Sequence, residues 1–326
     1  MLELLNIFYR TGLARMTSMR LFPVFILIIP LSIQAQVSRW VSHSCESGSG
    51  AGTYTWANGD HYRGQCQNQQ IHGHGTLTMV NGDRYVGLWR NNRQHGQGTF
   101  SWLNGDRYEG QWLNGKQNGH GTLLRANGDR YEGQWSNGRR NGQGTLSLAS
   151  GDRYEGEWVD DEMTGSGSYY WANGDSYTGN WANGGRQGMG TFTSAGGDRY
   201  QGQFLDDRRH GAGELLWANG DSYNGEWNNG NQHGQGTITW SNGDFYQGEF
   251  RDNRLNGRGE FTWADGQRYS GLFTDDAPDG EGTFFWLNGD RYVGLWRQGK
   301  RHGPGYLVYA NGEKVEQTYA DGKPVD

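Results

Sequence analysis

Hydrophobic residues make up only 33% of this 326-residue chain. Taken alone, that scarcity points to a chain unable to bury enough apolar surface to fold. Cysteine is scarcer still, with only Cys45 and Cys66 present, about one sequence period apart. In an exported protein the two pair; as free thiols they act as small apolar fillers, and both readings stay open at this level. After Ile33 no apolar run approaches transmembrane length. A basic excess is missing too: the formal net charge is −6, which excludes nucleic acid as an electrostatic partner and argues against anionic lipid on charge alone. No helical pattern follows any glycine cluster, so nucleotide-binding logic fails. No nucleophile–base arrangement stands out from the repetition described below, and neither enzymatic activity nor a cofactor is expected.

What is present reverses the disorder reading. Fifteen Trp and 18 Tyr are the opposite of a disordered composition. Tyrosine recurs at Tyr62, Tyr85, Tyr108, Tyr131, Tyr154, Tyr177, Tyr200, Tyr223, Tyr246, Tyr269 and Tyr292, always 23 residues apart. Glycine columns keep step with it: Gly64 to Gly294, Gly59 to Gly312, and a G-x-G pair from Gly50/Gly52 to Gly303/Gly305. The 57 glycines are therefore mostly positional, which marks a repeat array rather than low complexity.

Each unit holds two runs with period-two alternation. DRYEGQW (Asp106 to Trp112) places Tyr, Gly and Trp on one face and Arg, Glu and Gln on the other; TFSW (Thr99 to Trp102) places Phe100 and Trp102 together. Such runs predict half-buried antiparallel strands. A three-residue loop, Leu103-Asn104-Gly105, with Gly105 at positive φ, sets Tyr108 opposite Phe100 and gathers the aromatics on one side. A two-residue Asn-Gly turn would separate them. Gly110 then lies among bulky rings, where a Cβ would compete for space. The G-x-G pair, such as Gly96 and Gly98, is expected to turn the chain into the next strand. One unit cannot stand alone; stacked neighbours must complete its apolar face. The expected fold is all-β: an elongated, curved single antiparallel sheet of stacked 23-residue β-hairpins, rising about 10 Å per unit.

The phrase Gly105-Asp106-Arg107-Tyr108-Glu109-Gly110-Gln111-Trp112, followed by Gly119-x-Gly121, resembles the MORN (membrane occupation and recognition nexus) repeat, in about eleven copies over residues 50–312. The resemblance implies β-hairpin repeats. It also implies scaffolding, dimerisation and membrane association, as in junctophilins, plant phosphatidylinositol phosphate kinases, a SET-domain methyltransferase and parasite scaffold proteins. In those proteins the chemistry resides in other domains. Departures are Cys66 for the aromatic, Gln267 for the turn Asp, Ser150-Gly151 and Gly196-Gly197 for Asn-Gly, and Val315 and Gln317 for Tyr and Gly. The last pair suggests a degenerate capping repeat over 313–326.

Ahead of the array, Arg15 and Arg20 precede the apolar run Leu21 to Ile33 and then Gln34-Ala35-Gln36. This predicts a signal peptide over 1–35, with 1–18 in part an upstream extension, and a lead-in over 36–49. The protein is then periplasmic or secreted; an uncleaved segment would instead tether it to the membrane.

Each polar column of the repeat also has a structural reading. The turn carboxylates from Asp60 to Asp290 lie too far apart to share a calcium ion and read as turn caps. His72, His95, His210, His233 and His302 share a column with Asn118, Asn141 and Asn256, which reads as turn chemistry. His72, His74 and His95 are the one conceivable metal cluster, and no metal is expected. Arg107/Glu109, Arg130/Glu132 and Arg153/Glu155 read as exposed ion pairs. The candidate binding surface is an aromatic groove of Tyr85, Trp89, Tyr108, Trp112, Tyr131, Trp135, Tyr154, Trp158, Tyr177, Trp181, Trp217, Tyr223, Trp227 and Trp240. The same rings also read as core. The expected function is a non-enzymatic exported scaffold with a protein partner or a second copy of itself. The alternative is a groove that takes a cell-wall glycan or a lipid headgroup.

Overall fold

The computed structural model describes Trp40, Cys45 and residues 48–325. The expected signal segment or tether over 1–35 lies outside the described residues, as does most of the 36–49 lead-in. Among the described residues no helix is long and apolar enough to cross a membrane.

The array opens with β1 (Ser49–Thr55), β2 (His61–Gln67), β3 (Gln70–Thr78), β4 (Arg84–Arg90), β5 (Arg93–Ser101) and β6 (Arg107–Leu113). Strands of seven and nine residues then alternate up to Lys314–Ala320. A last short strand, Lys323–Val325, completes one sheet of 25 strands. Every strand pairs antiparallel with its neighbours in sequence. The expected sheet of stacked hairpins is therefore present.

Two turn types alternate. Leu103-Asn104-Gly105 is the predicted three-residue loop: Trp102 N donates to Asp106 O at 2.9 Å, and Gly105 N to Trp102 O at 3.1 Å. Gly105 has φ +94°, and Phe100 stands opposite Tyr108. The aromatics consequently share a face. At the other end, Asn91-Asn92 forms a two-residue turn with φ +49° and +62° between the paired Arg90 and Arg93. Two successive positive φ values match the right-handed strand twist, and Asn, Asp and Gly accept them most readily.

Because Asn91-Asn92 already reverses the chain, the G-x-G pair does not serve as a turn. Both glycines lie inside the nine-residue strand β5. Gly96, at φ +62°, sits in a bulge where the register shifts: Trp89 faces Gln94, whereas Gly87 faces Gly98. The surplus residues bow out, and glycine takes the left-handed conformation the bulge demands. The strand predicted over Thr99 to Trp102 accordingly starts earlier, at Arg93.

Burial alternates along β6, with Tyr108, Gly110 and Trp112 inside and Arg107, Glu109 and Gln111 outside. On the outer face the expected ion pairs form: Arg107–Glu109 at 2.7 Å, Arg130–Glu132 at 2.6 Å, and Arg153–Glu155. Their exposure leaves each worth little to stability.

At the first edge Cys45 and Cys66 form a disulfide with Cα atoms 5.6 Å apart, which settles the open reading of the two thiols. Trp40 bridges Tyr54 there, with ring centroids 5.1 Å apart. At the far edge Val315 and Gln317 pair with Leu307 and Gly305 and continue the ladder.

Candidate functional site

The apolar face is built around its tyrosines. Tyr108 lies down over the glycine pair Gly110 and Gly121, which face each other across β6 and the next strand. A Cβ on Gly121 would overlap the Tyr108 ring, and one on Gly110 would run into the Gly121 backbone. Strand glycine is tolerated here because its missing side chain is the trough in which the ring rests. At the far end of the trough the hydroxyl donates to a carbonyl, Tyr108 Oη to Gln111 O at 3.0 Å, as Tyr85 does to Leu88 O at 2.9 Å. The ring is fully enclosed with its polar atom satisfied. Burial raises the tyrosine pKa values; Tyr177, where the charge of Arg186 acts the other way, is pushed up to about 12.

From Tyr85 to Tyr292 each tyrosine is held edge-to-face between two rings, one of its own unit and one of the next. Tyr108 meets Trp112 of its own unit at 5.2 Å and Trp135 of the next at 5.3 Å, both edge-to-face. Trp112 Nε1 donates to Gly98 O at 3.2 Å and Trp135 Nε1 to Gly121 O at 3.1 Å. These contacts run from unit to unit as a spine. Of the proposed groove residues, Tyr85, Tyr108, Tyr131, Tyr154, Tyr177 and Tyr223 are buried in this spine with Trp89, Trp112, Trp135, Trp158, Trp181 and Trp227. Trp217 and Trp240 belong to a second row beside the hairpin loops. Trp240 is buried, its ring 5.3 Å from Phe261, and Trp217 is half-buried. Phe204, Phe250 and Phe273 occupy the tryptophan column in three units, a substitution visible at the 23-residue spacing.

A third column escaped sequence reading. The residue opposite each large spine ring varies in type: Gln94 faces Trp89, Arg140 faces Trp135, Met163 faces Trp158, Leu255 faces Phe250. The two-residue turn sets these residues opposite the rings, as Arg90 opposite Arg93 sets Gln94 opposite Trp89. Arg140 lies with its Cζ 4.2 Å from the Trp158 ring centroid, and its Nε donates to Asp161 Oδ1 at 3.0 Å. Arg186 pairs likewise with Asp207 at 3.1 Å. Burial pulls the pKa of Arg140 down, and the bond to Asp161 works against that shift.

The turn carboxylates do more than cap their own turns. Asp106 N donates to Asn104 Oδ1 at 3.0 Å, while Asp106 Oδ1 accepts from Ala126 N, in the next unit's loop, at 2.8 Å. The same inter-unit bond recurs from Asp60 to Val80 through Asp290 to Ala310. Among the described residues this ladder breaks only at Gln267, which instead donates to Asp265 through both its backbone and side-chain nitrogens.

The histidine column sits at the bulge, within the strands rather than at their turns. Nδ1 of His72, His95, His210, His233 and His302 is buried without a hydrogen-bond partner. No group of three His, Cys, Asp or Glu side chains among the described residues is placed to hold a metal ion.

A spine of this periodicity matches one known repeat. The MORN repeat profile fits twelve consecutive segments, 49–61, 62–84 and onward to 292–314. The chain belongs to the MORN-repeat family. The profile opens each unit at its tyrosine, so the array divides into twelve segments, the first of them partial, rather than about eleven. None of the curated proteins matches the MORN chain by sequence. Among solved structures, the TCP domain of Drosophila melanogaster SAS-4, determined with a proline-rich motif of Ana2, is 15% identical with a TM-score of 0.33. It covers 54% of this chain and 90% of its own. The TCP10 domain of Danio rerio CPAP is 13% identical with a TM-score of 0.36, covering 63% of this chain and 97% of its own.

Proposed function

We propose that this MORN protein is a non-enzymatic, exported scaffold that binds a protein partner along its sheet. The observation that carries the reading is the continuous strand ladder. Successive units pair at one register, their rings crossing from unit to unit and their turn carboxylates doing so at each described boundary except the one after Gln267, so a long ordered surface is held without a separate core layer. Such a surface suits recognition of an extended partner, or of a second copy at an open edge. The Cys45–Cys66 bond supports export, because structural disulfides persist in oxidising compartments.

The test is a pull-down from the exported fraction with the intact chain, joined to N-terminal sequencing and light scattering. A reproducible protein partner or a dimer, on a chain beginning near Gln36, is the expected result. A monomer that captures nothing, or a chain retained in the cytoplasm, would overturn the proposal. Cell-wall glycans and lipid vesicles are expected to leave tryptophan fluorescence unchanged, since the spine rings are already packed against each other. A saturable change would favour the ligand groove instead.

A further inference from the structure

Four arginines occupy the column opposite the large spine ring: Arg140, Arg186, Arg209 and Arg301. Three of them share one pose. The Cζ atom stands 4.2 Å from the Trp158 centroid for Arg140, 4.3 Å from Trp227 for Arg209 and 4.3 Å from Tyr319 for Arg301. The distance to the tyrosine of the unit is 5.7, 5.7 and 5.6 Å in turn.

Their partners differ. Arg140 directs two donors, its backbone N and its Nε, at the single oxygen Asp161 Oδ1, each at 3.0 Å. Arg186 repeats the arrangement with Asp207 Oδ1 at 2.9 and 3.1 Å. Arg301 donates to Tyr319 Oη at 2.9 Å. At Arg209 the corresponding turn residue is Gly230, and a Cβ placed there would meet nothing within 4 Å. Among the described residues the Arg209 guanidinium makes ring contacts to Tyr200 and Trp227 and has no salt bridge or side-chain hydrogen bond. Burial lowers its pKa, against the opposing pull of Tyr200 and of the Asp198 carboxylate, neither of which is hydrogen-bonded to it.

We infer that Arg209, above Gly230, is a binding site for a carboxylate carried by a protein partner. The array itself supplies the reference: Arg140 in the same pose, and Arg186 at the same column position, each receive an aspartate oxygen, and here the aspartate is missing while the guanidinium remains. A partly desolvated guanidinium over aromatic rings gains strongly from an ionised, planar acceptor. One Asp or Glu side chain on an extended peptide would complete the pattern, and the overall net charge of −6 disfavours a polyanion. This inference rests on reading the array as a protein-binding surface.

The test uses the full chain and a short blocked peptide with one central Asp, against the same peptide with Asn. The Arg209 Nε–Hε resonance and tryptophan fluorescence are the readouts. The Asp peptide should bind saturably and at least about tenfold more tightly than the Asn peptide. Binding should vanish in R209Q. It should also vanish in G230D, which supplies the carboxylate in cis and should raise the melting temperature. Asp161 and Asp207 already hold positive φ at this turn position, so G230D is compatible with the fold. Equal response to both peptides, no saturable response, or undiminished binding in G230D would overturn the site. Partner capture in the pull-down reports separately on the scaffold: a G230D chain that captures as wild type does, with no peptide binding in either, sinks the Arg209 site alone.

Discussion

At the scale of single residues, the fold depends on side chains that are not there. Gly121 and its counterparts leave the trough that each tyrosine fills. Gly121→Ala is expected to destabilise the array by about 1–3 kcal/mol, the usual range for forcing a methyl group into a packed core. Gly196→Ala serves as the control: its Cβ would meet only Ser194 Oγ at 3.7 Å, and its φ is not positive. Denaturant unfolding of the two variants should separate them, Gly196→Ala staying within about 0.5 kcal/mol of wild type. The tyrosines also set an alkaline limit. Their pKa values are raised from 10.0 by burial, so above that pH the unfolded chain loses protons that the folded chain keeps. Stability is therefore fully present below pH 10 and falls as pH rises further. Tyrosinate absorbance should appear late and together with loss of sheet signal. A gradual, independent titration would contradict the enclosed rings.

At the scale of the hairpin, the carboxylate ladder links neighbours. Its single break makes a constructive test possible. Asp265→Asn combined with Gln267→Asp restores the Asn-Gly-Asp triplet and offers an oxygen to the backbone N–H of Leu287, as Asp244 does to Ala264 at 2.8 Å. This double variant should gain about 1 kcal/mol, and Asp152→Ala, which loses the bond to Ala172, should lose about as much. Melting temperatures of the two variants should move in opposite directions. No change in either would mean that the loops are held by strand pairing alone. The turn residue itself was legible in the sequence as a cap beside Asn-Gly. Its bond to a loop 20 residues later was not, because hydrogen bonding between hairpins depends on how they stack.

At the scale of the whole array, stability is a sum over units and the interfaces between them, and the ends are weakest. The disulfide from Cys45 to Cys66 clips the first edge, where Cys66 stands in for the usual large ring. Reduction is expected to release that edge and leave the interior units folded. Hydrogen exchange should show faster exchange in residues 49–67 and unchanged protection around Tyr154 and Tyr177. Loss of protection along the entire chain would mean that the array unfolds as one cooperative body.

Spacing determined much of this. Tyr108, Gly110 and Trp112 at alternate positions specify a face, and the loop Leu103-Asn104-Gly105 specifies the register, because both are local consequences of strand period and positive φ. The G-x-G pair misled because glycine marks a turn and a bulge equally well, and Asn91-Asn92 competes for the turn. The arginine column went unread for the same reason: with the chain expected to turn at the G-x-G pair, the residues ahead of it have no strand partner, whereas the two-residue turn sets Arg140 opposite Trp135 and Arg209 opposite Phe204. Local conformation follows from the residue and its neighbours in the chain. Which groups meet across a 23-residue gap, and which guanidinium is left without a carboxylate, was decided by the stacking of one unit on the next.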